Sequence, residues 1–60
     1  MSDDEARVLG FISDEPKHID VIMAESGNNP GRLSGLLTGL ELKGLVKQLA
    51  GKYFVRDLAH

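Results

Sequence analysis

The 60-residue sequence has no cysteine and no tryptophan, and only one tyrosine and two phenylalanines. Without cysteine, neither a disulfide framework nor a thiolate metal site can stabilise the fold. The two histidines, His18 and His60, lie far apart without ligand-spaced partners, so we expect no metal and no cofactor. A domain of this size buries only about 60% of the surface of its unfolded chain. It has no room for a deep cofactor pocket, and we expect no enzymatic activity from this chain alone.

Long hydrophobic runs are also missing. The longest is Val21 to Ala24, too short for a transmembrane span or the apolar region of a signal peptide. We therefore expect no membrane partner. Together with the lack of cysteine, this predicts a cytoplasmic location. A hydrophobic content of 42% with 27% charged residues is typical of a folded chain rather than a disordered one.

The net charge of −2 hides an uneven distribution of charge. Residues 1–30 carry a net charge of −5, and residues 31–60 carry +3. Opposed halves of this kind indicate a face that attracts anions. Alternatively, the acidic half simply neutralises the basic half within the fold.

Three helices are predicted from capping residues and hydrophobic spacing. Ser2 to Glu5 forms a capping box that begins a helix over about residues 3–13, and the turn around Pro16 ends it. Asp20 is expected to cap a short second helix that ends at Gly27. The third helix begins with Asn29 as its cap and Pro30 at its first position, and it ends at Gly44. Its core-facing stripe consists of Leu33, Leu36, Leu37 and Leu40.

Two short strands are predicted after the third helix. Residues 45–49 and 53–56 alternate in polarity and are separated by a turn that contains Gly51, which is a hairpin signal. The fold class is therefore α+β and mainly α: a winged helix-turn-helix with three helices and a C-terminal hairpin. We expect a single domain over residues 1–60, ordered over about 3–56, with a frayed tail at Asp57–His60. The predicted core consists of Val8, Leu9, Ile12, Ile19, Ile22, Leu33, Leu36, Leu37, Leu40, Leu45, Val46 and one of Tyr53 or Phe54.

Two motifs in this pattern resemble a known family. The stretch Asp14–Asp20 reads D-E-P-K-H-I-D, and Leu40–Val46 reads L-E-L-K-G-L-V. Together with a glycine hairpin that closes on Tyr53–Arg56, they resemble the small C-terminal winged helix of the DNA-processing protein A (DprA/Smf) family over about residues 5–56. The second motif is shared by many winged helices. The first motif is therefore the one that favours this family over other winged-helix families.

The resemblance implies a role beside DNA. Proteins of that family bind single-stranded DNA during natural transformation and help to load a recombinase. That work is associated with a Rossmann-like core, which this sequence does not contain. The resemblance therefore implies an accessory domain, or part of a longer protein.

The outward face of the third helix carries few groups that could read DNA bases. Base readout needs arginine, lysine, asparagine or glutamine, and this face has none of them. It is formed by Gly31, Gly35, Thr38 and Leu42, with Gly39 and Ser34 flanking them. Such a face favours close approach of a protein partner or a sugar-phosphate strand. Alternatively, it is a loosely packed surface, its glycines serve packing against helix 1, and Leu42 lies under the wing.

Candidate phosphate contacts lie on the third helix and on the wing. The predicted nucleic-acid-binding residues are Arg32, Lys43, Lys47, Lys52 and Arg56, with Tyr53 available to stack on a base. The wing lysines could equally serve only to keep the strand edge soluble. Two functions remain open: a nucleic-acid-binding module with little sequence preference, and a protein-interaction or dimerisation module that does not bind DNA.

Overall fold

Three helices and a three-stranded antiparallel sheet form the fold in a computed structural model that describes residues 1–57. The sheet order is β1-β3-β2. The prediction of a winged helix that is mainly α is confirmed. Most of the predicted frayed tail lies outside the described residues. The elements are α1 (Asp3–Leu9), β1 (Lys17–His18), α2 (Ile19–Ser26), α3 (Pro30–Leu42), β2 (Val46–Leu49) and β3 (Tyr53–Arg56).

Helix α1 begins as predicted but ends earlier. The Glu5 amide donates to Ser2 Oγ at 3.1 Å, and the Ser2 amide donates to Glu5 Oε1 at 3.0 Å, which completes the capping box. The expected extension to residue 13 is wrong. The amides of Phe11 and Ile12 donate to carbonyls three residues back, so the chain tightens after Leu9 into a turn. This turn still directs Ile12 into the core.

Helix α2 begins two residues earlier than predicted and has a different cap. The N-cap is His18, whose Nδ1 accepts a hydrogen bond from the Asp20 amide at 3.1 Å. Asp20 as N-cap is therefore wrong. The reason is tertiary: Lys17 and His18 pair with β3, so the helix begins where that pairing ends. Asp20 lies instead in the first turn, where its negative charge suits the helix dipole.

Helix α3 has the predicted boundaries. Asn29 Oδ1 accepts from the Arg32 amide at 2.8 Å, and Pro30 occupies the first helical position. The helix ends at Leu42, and Gly44 follows with a φ of 74°. Gly27, in the turn before α3, has a φ of 73°, as expected of a glycine that ends a helix.

The strand register determines which side chains of β3 face the helices. Gln48 and Lys17 flank Phe54 on either side, whereas Leu49 and His18 flank Tyr53. Side chains alternate along a strand, so Phe54 points into the core and Tyr53 points away from it. The core cluster consists of Val8, Leu9, Ile12, Ile22, Leu33, Leu37, Leu40, Val46 and Phe54.

The other predicted core residues are only partly buried. Ile19, Leu36 and Leu45 pack against the edge of the cluster, and they are joined there by Met23. Leu45 precedes strand β2, which begins at Val46, one residue later than predicted. Within the described residues, no helix is long and apolar enough to cross a membrane.

Candidate binding surfaces of the third helix and the wing

The outward face of α3 is exposed and nearly smooth. Gly31, Gly35, Thr38 and Leu42 are all exposed, and Leu42 reaches 84%. The alternative in which Leu42 lies under the wing is therefore wrong. A Cβ placed at Gly35 would meet no atom within 4 Å, so nothing in the described fold requires a glycine there.

Gly39 differs from the other glycines of α3 because it faces α1. A Cβ at this position would lie 2.5 Å from Glu5 Oε2. The expectation that glycines serve packing against helix 1 is thus confirmed for Gly39. Gly31 and Gly35 have no such role.

Lys43, a predicted phosphate contact, forms an ion pair inside the fold. Its Nζ lies 2.8 Å from Glu5 Oε2 and 3.0 Å from Glu5 Oε1. Glu5 is buried and also accepts from the Ser2 amide. The ammonium of Lys43 and the hydrogen bonds from Ser2 lower the pKa of Glu5 from 4.5 to about 2, against the opposing effect of burial. Sequence analysis missed the role of Glu5 in joining α1 to α3.

The lowered pKa of Glu5 predicts a loss of stability in acid. A carboxyl with a lower pKa in the folded state stabilises the fold above pH 4.5, and this contribution is lost as the pH falls towards 2. Thermal unfolding of the native protein and of Glu5→Gln should therefore differ clearly at pH 7 and converge near pH 2. Lys43→Met should show a weaker pH dependence, because it removes the main cause of the shift. An equal difference between native protein and Glu5→Gln at both pH values would contradict this assignment.

Arg32 also contacts the acidic half of the chain. Its Nη2 donates to a carboxylate oxygen of Asp4, which joins the beginnings of α3 and α1. Both side chains are about half exposed. Because exposed ion pairs contribute little to stability, a phosphate could replace Asp4 as the partner of Arg32.

Arg56 has a structural role that the sequence analysis missed. Its Nε donates to the Ile12 carbonyl and its Nη2 to the Leu9 carbonyl, both at 2.8 Å. These carbonyls belong to the end of α1 and the turn after it, beyond the regular i→i−4 hydrogen bonds of the helix. The fork geometry of guanidinium suits two acceptors at once. The side chain of Arg56 is therefore occupied within the fold.

The remaining predicted residues, Lys47, Lys52 and Tyr53, lie on the wing and are exposed. Within residues 1–57, neither lysine forms an ion pair. Lys52 lies at the hairpin turn with a φ of 64°, directly after Gly51 at 79°. Tyr53 is 41% exposed.

Lys47 and Tyr53 share the outer face of the sheet. Lys47 is two residues from Leu49 on β2, and Leu49 is the direct partner of Tyr53. On the other side of Tyr53, the ring of His18 meets it edge-on, with centroids 5.2 Å apart. His18 has a structural role, because it caps α2 and its ring contacts the tyrosine ring. Its contact with Tyr53 could not be predicted from the sequence, because it depends on the pairing of β1 with β3, which are more than 30 residues apart in the chain.

Within the described part of the chain, no group of three or more His, Asp or Glu side chains is arranged to hold a metal ion. The candidate surfaces above consist of exposed charged side chains, one exposed aromatic ring and a helix face with few long side chains.

Comparison with known protein families agrees with this architecture. The family model of the DprA winged helix domain matches residues 1–52. The chain belongs to the DprA winged helix domain family. The matched residues of this DprA winged helix domain include all three helices and the turn of the wing. Searches of curated proteins and of solved structures each find no significant match.

Proposed function

We propose that this DprA winged helix domain is an accessory module of a DNA-processing protein, without catalytic activity of its own, that contacts DNA with little sequence preference. The observation that carries the proposal is the outer face of the wing. Tyr53 is exposed there beside Lys47, and Lys52 lies at the adjoining turn. A cation next to an exposed aromatic ring suits a phosphate next to a base. The cytoplasmic location stays a prediction.

Low sequence preference follows from the face of α3. A recognition helix reads base edges with long polar side chains, and Gly31, Gly35 and Thr38 are too short to do so. Of the five cations predicted to contact phosphate, Lys43 and Arg56 are engaged inside the fold. The wing therefore supplies most of the contact in this proposal, with Arg32 available once Asp4 is displaced.

The affinity should be modest and sensitive to salt. Two or three neutralised phosphates give a slope of roughly −2 in log K against log salt concentration, since each contributes about −0.7 to −0.9. Stacking of one base on an aromatic ring contributes about 1–3 kcal/mol. Tyr53→Ala should therefore weaken binding by roughly 5- to 150-fold.

The test is an amide chemical-shift titration of the labelled protein at low salt, with short single-stranded and duplex DNA in turn. We expect shifts at Lys47, Lys52 and Tyr53 that disappear as salt is added. Lys47→Gln should weaken binding, whereas Arg7→Gln, which removes an exposed cation of α1, should have little effect. The proposal fails if neither DNA shifts the wing amides, or if the two variants weaken binding equally.

A second function is favoured by one specific observation, the 84% exposure of Leu42 on the same face of α3 as Gly35, where a Cβ would meet no atom within 4 Å. An exposed leucine next to small residues suits a protein contact. In this alternative, the face formed by Gly31, Gly35, Thr38 and Leu42 mediates self-association or docking on another domain or protein, and DNA is not bound.

Leu42→Asp tests this alternative by sedimentation of the protein over a range of concentrations. If the face is a dimer interface, the native protein sediments as a dimer and the variant as a monomer. Leu42→Gln serves as a companion variant, because aspartate at the end of a helix is also unfavourable for the helix dipole. Unchanged sedimentation and partner binding in both variants would place the interface elsewhere.

A further inference from the structure

A groove of about 470 Å³ lies between α2, α3 and the hairpin. Its apolar lining includes Met23, Leu37 and Phe54. The volume falls in the range of pockets that enclose small ligands or individual side chains. Phe54 and its partner Gln48 line the groove, so it lies on the opposite face of the sheet from Tyr53 and Lys47. The groove thus lies on the other side of the sheet from most of the surface proposed to contact DNA, and Lys52 at the hairpin turn borders both.

The charged groups that line this groove are mainly acidic. Asp20 contributes a carboxylate from α2, Glu41 contributes one from α3, and Lys52 is the one cation among the lining residues. The Asp20 side chain is 79% exposed, and its Oδ2 lies 3.6 Å from His18 Nδ1, the atom that accepts from the Asp20 amide. Glu41 forms no ion pair or side-chain hydrogen bond within residues 1–57.

This distribution repels phosphate and attracts cations. In the groove between the third helix and the wing, a DNA backbone would meet two carboxylates for one ammonium. A peptide with basic side chains would pair with Asp20 and Glu41, and an apolar side chain between them would bury itself against Met23 and Leu37. Phosphate contact supplies most nucleic-acid affinity, so nucleic acid is the poorer fit.

We propose that this groove binds a short basic segment of a protein partner, with at least one apolar side chain flanked by lysine or arginine. The segment inserts the apolar side chain between α2 and α3, and its cations pair with Asp20 and Glu41. This proposal does not rest on DNA binding by the wing. The two surfaces lie on opposite faces of the sheet and meet at Lys52.

The test uses a capped probe peptide of sequence Lys-Arg-Leu-Leu-Arg-Lys in an amide chemical-shift titration of the full chain. We expect shifts at Ser34, Thr38, Glu41 and Gln48. A peptide in which glutamate replaces every basic residue should cause none. Glu41→Gln combined with Asp20→Asn should weaken binding roughly 2- to 30-fold, because two exposed ion pairs are lost.

The matched control is Asp14→Asn combined with Glu15→Gln, which removes the same charge from the exposed loop before β1. It should leave binding almost unchanged. Because Asp20→Asn could weaken α2, Glu41→Gln is also measured alone, and it should reproduce part of the loss. Equal weakening by the control would show that only net charge attracts the peptide, and the proposal would be wrong. Shifts in the groove with single-stranded DNA but not with the peptide would equally overturn it.

Discussion

Phe54→Ala is expected to lower the free energy of unfolding by about 3–5 kcal/mol. The Phe54 ring is only 3% exposed and packs in the core cluster from the central strand of the sheet. Truncation of a buried phenylalanine to alanine costs about 3–5 kcal/mol, because apolar contacts are lost and a cavity remains. At about 0.05–0.15 kcal/mol per residue, a 60-residue domain has a free energy of unfolding of roughly 3–9 kcal/mol. The loss therefore ranges from about a third of this free energy to all of it.

Tyr53→Ala is the matched control, since it truncates the neighbouring ring on the opposite face of β3. It should lower the free energy of unfolding by much less, because Tyr53 is 41% exposed and loses mainly its contact with His18. Urea denaturation followed by circular dichroism measures both. If the two variants lose similar stability, the strand register is wrong, and the surface proposed to contact DNA is wrong with it.

Arg56→Met is expected to lower the free energy of unfolding substantially without any involvement of DNA. The variant removes the two hydrogen bonds that hold the Leu9 and Ile12 carbonyls. The Ile12 carbonyl loses its guanidinium donor, and a partly buried carbonyl without a donor costs about 1–3 kcal/mol, whereas the Leu9 carbonyl keeps the Ile12 amide as a donor. Methionine retains much of the apolar stem of arginine, so the loss reports mainly on the guanidinium. Arg56→Lys should recover only part of it, because one ammonium does not reproduce the two-pronged guanidinium fork.

Lys47→Met controls for the loss of a cation from the same hairpin. Lys47 is exposed and forms no ion pair within residues 1–57, so its removal should change stability by no more than about 0.5 kcal/mol. Thermal and urea unfolding compare the three variants. If Arg56→Met keeps the native stability and loses only DNA affinity, Arg56 is a phosphate contact and not the cap of α1.

The uneven charge distribution was interpreted either as a face that attracts anions or as neutralisation within the fold. Each interpretation applies to part of the basic half of the chain. Lys43 and Arg32 pair with Glu5 and Asp4, so these cations are neutralised by the acidic half, between α3 and α1. Lys47 and Lys52 have no such partner within the described chain. The excess positive charge that can attract an anion is therefore concentrated on the wing, while Asp20 and Glu41 make the groove beside α3 acidic.

Features that depend on neighbours a few residues apart could be predicted from the sequence alone. The Ser2 capping box, the Asn29 cap followed by Pro30, and the left-handed glycines at Gly27 and Gly44 all satisfy backbone groups locally. The leucine stripe of α3 and the hairpin follow from periodicity over a few turns or rungs. The winged-helix order of elements therefore followed from local chemistry.

The tertiary structure decided everything that joins distant segments. The pairing of β1 with β3 makes His18 the cap of α2 and turns Tyr53 outward and Phe54 inward. The contacts of Arg32, Lys43 and Arg56 span 28, 38 and 47 residues of chain. No local propensity encodes such separations, because they depend on how the helices pack against the sheet. The sequence alone therefore determined which cations the chain carries, and packing decided which of them remain available for a partner.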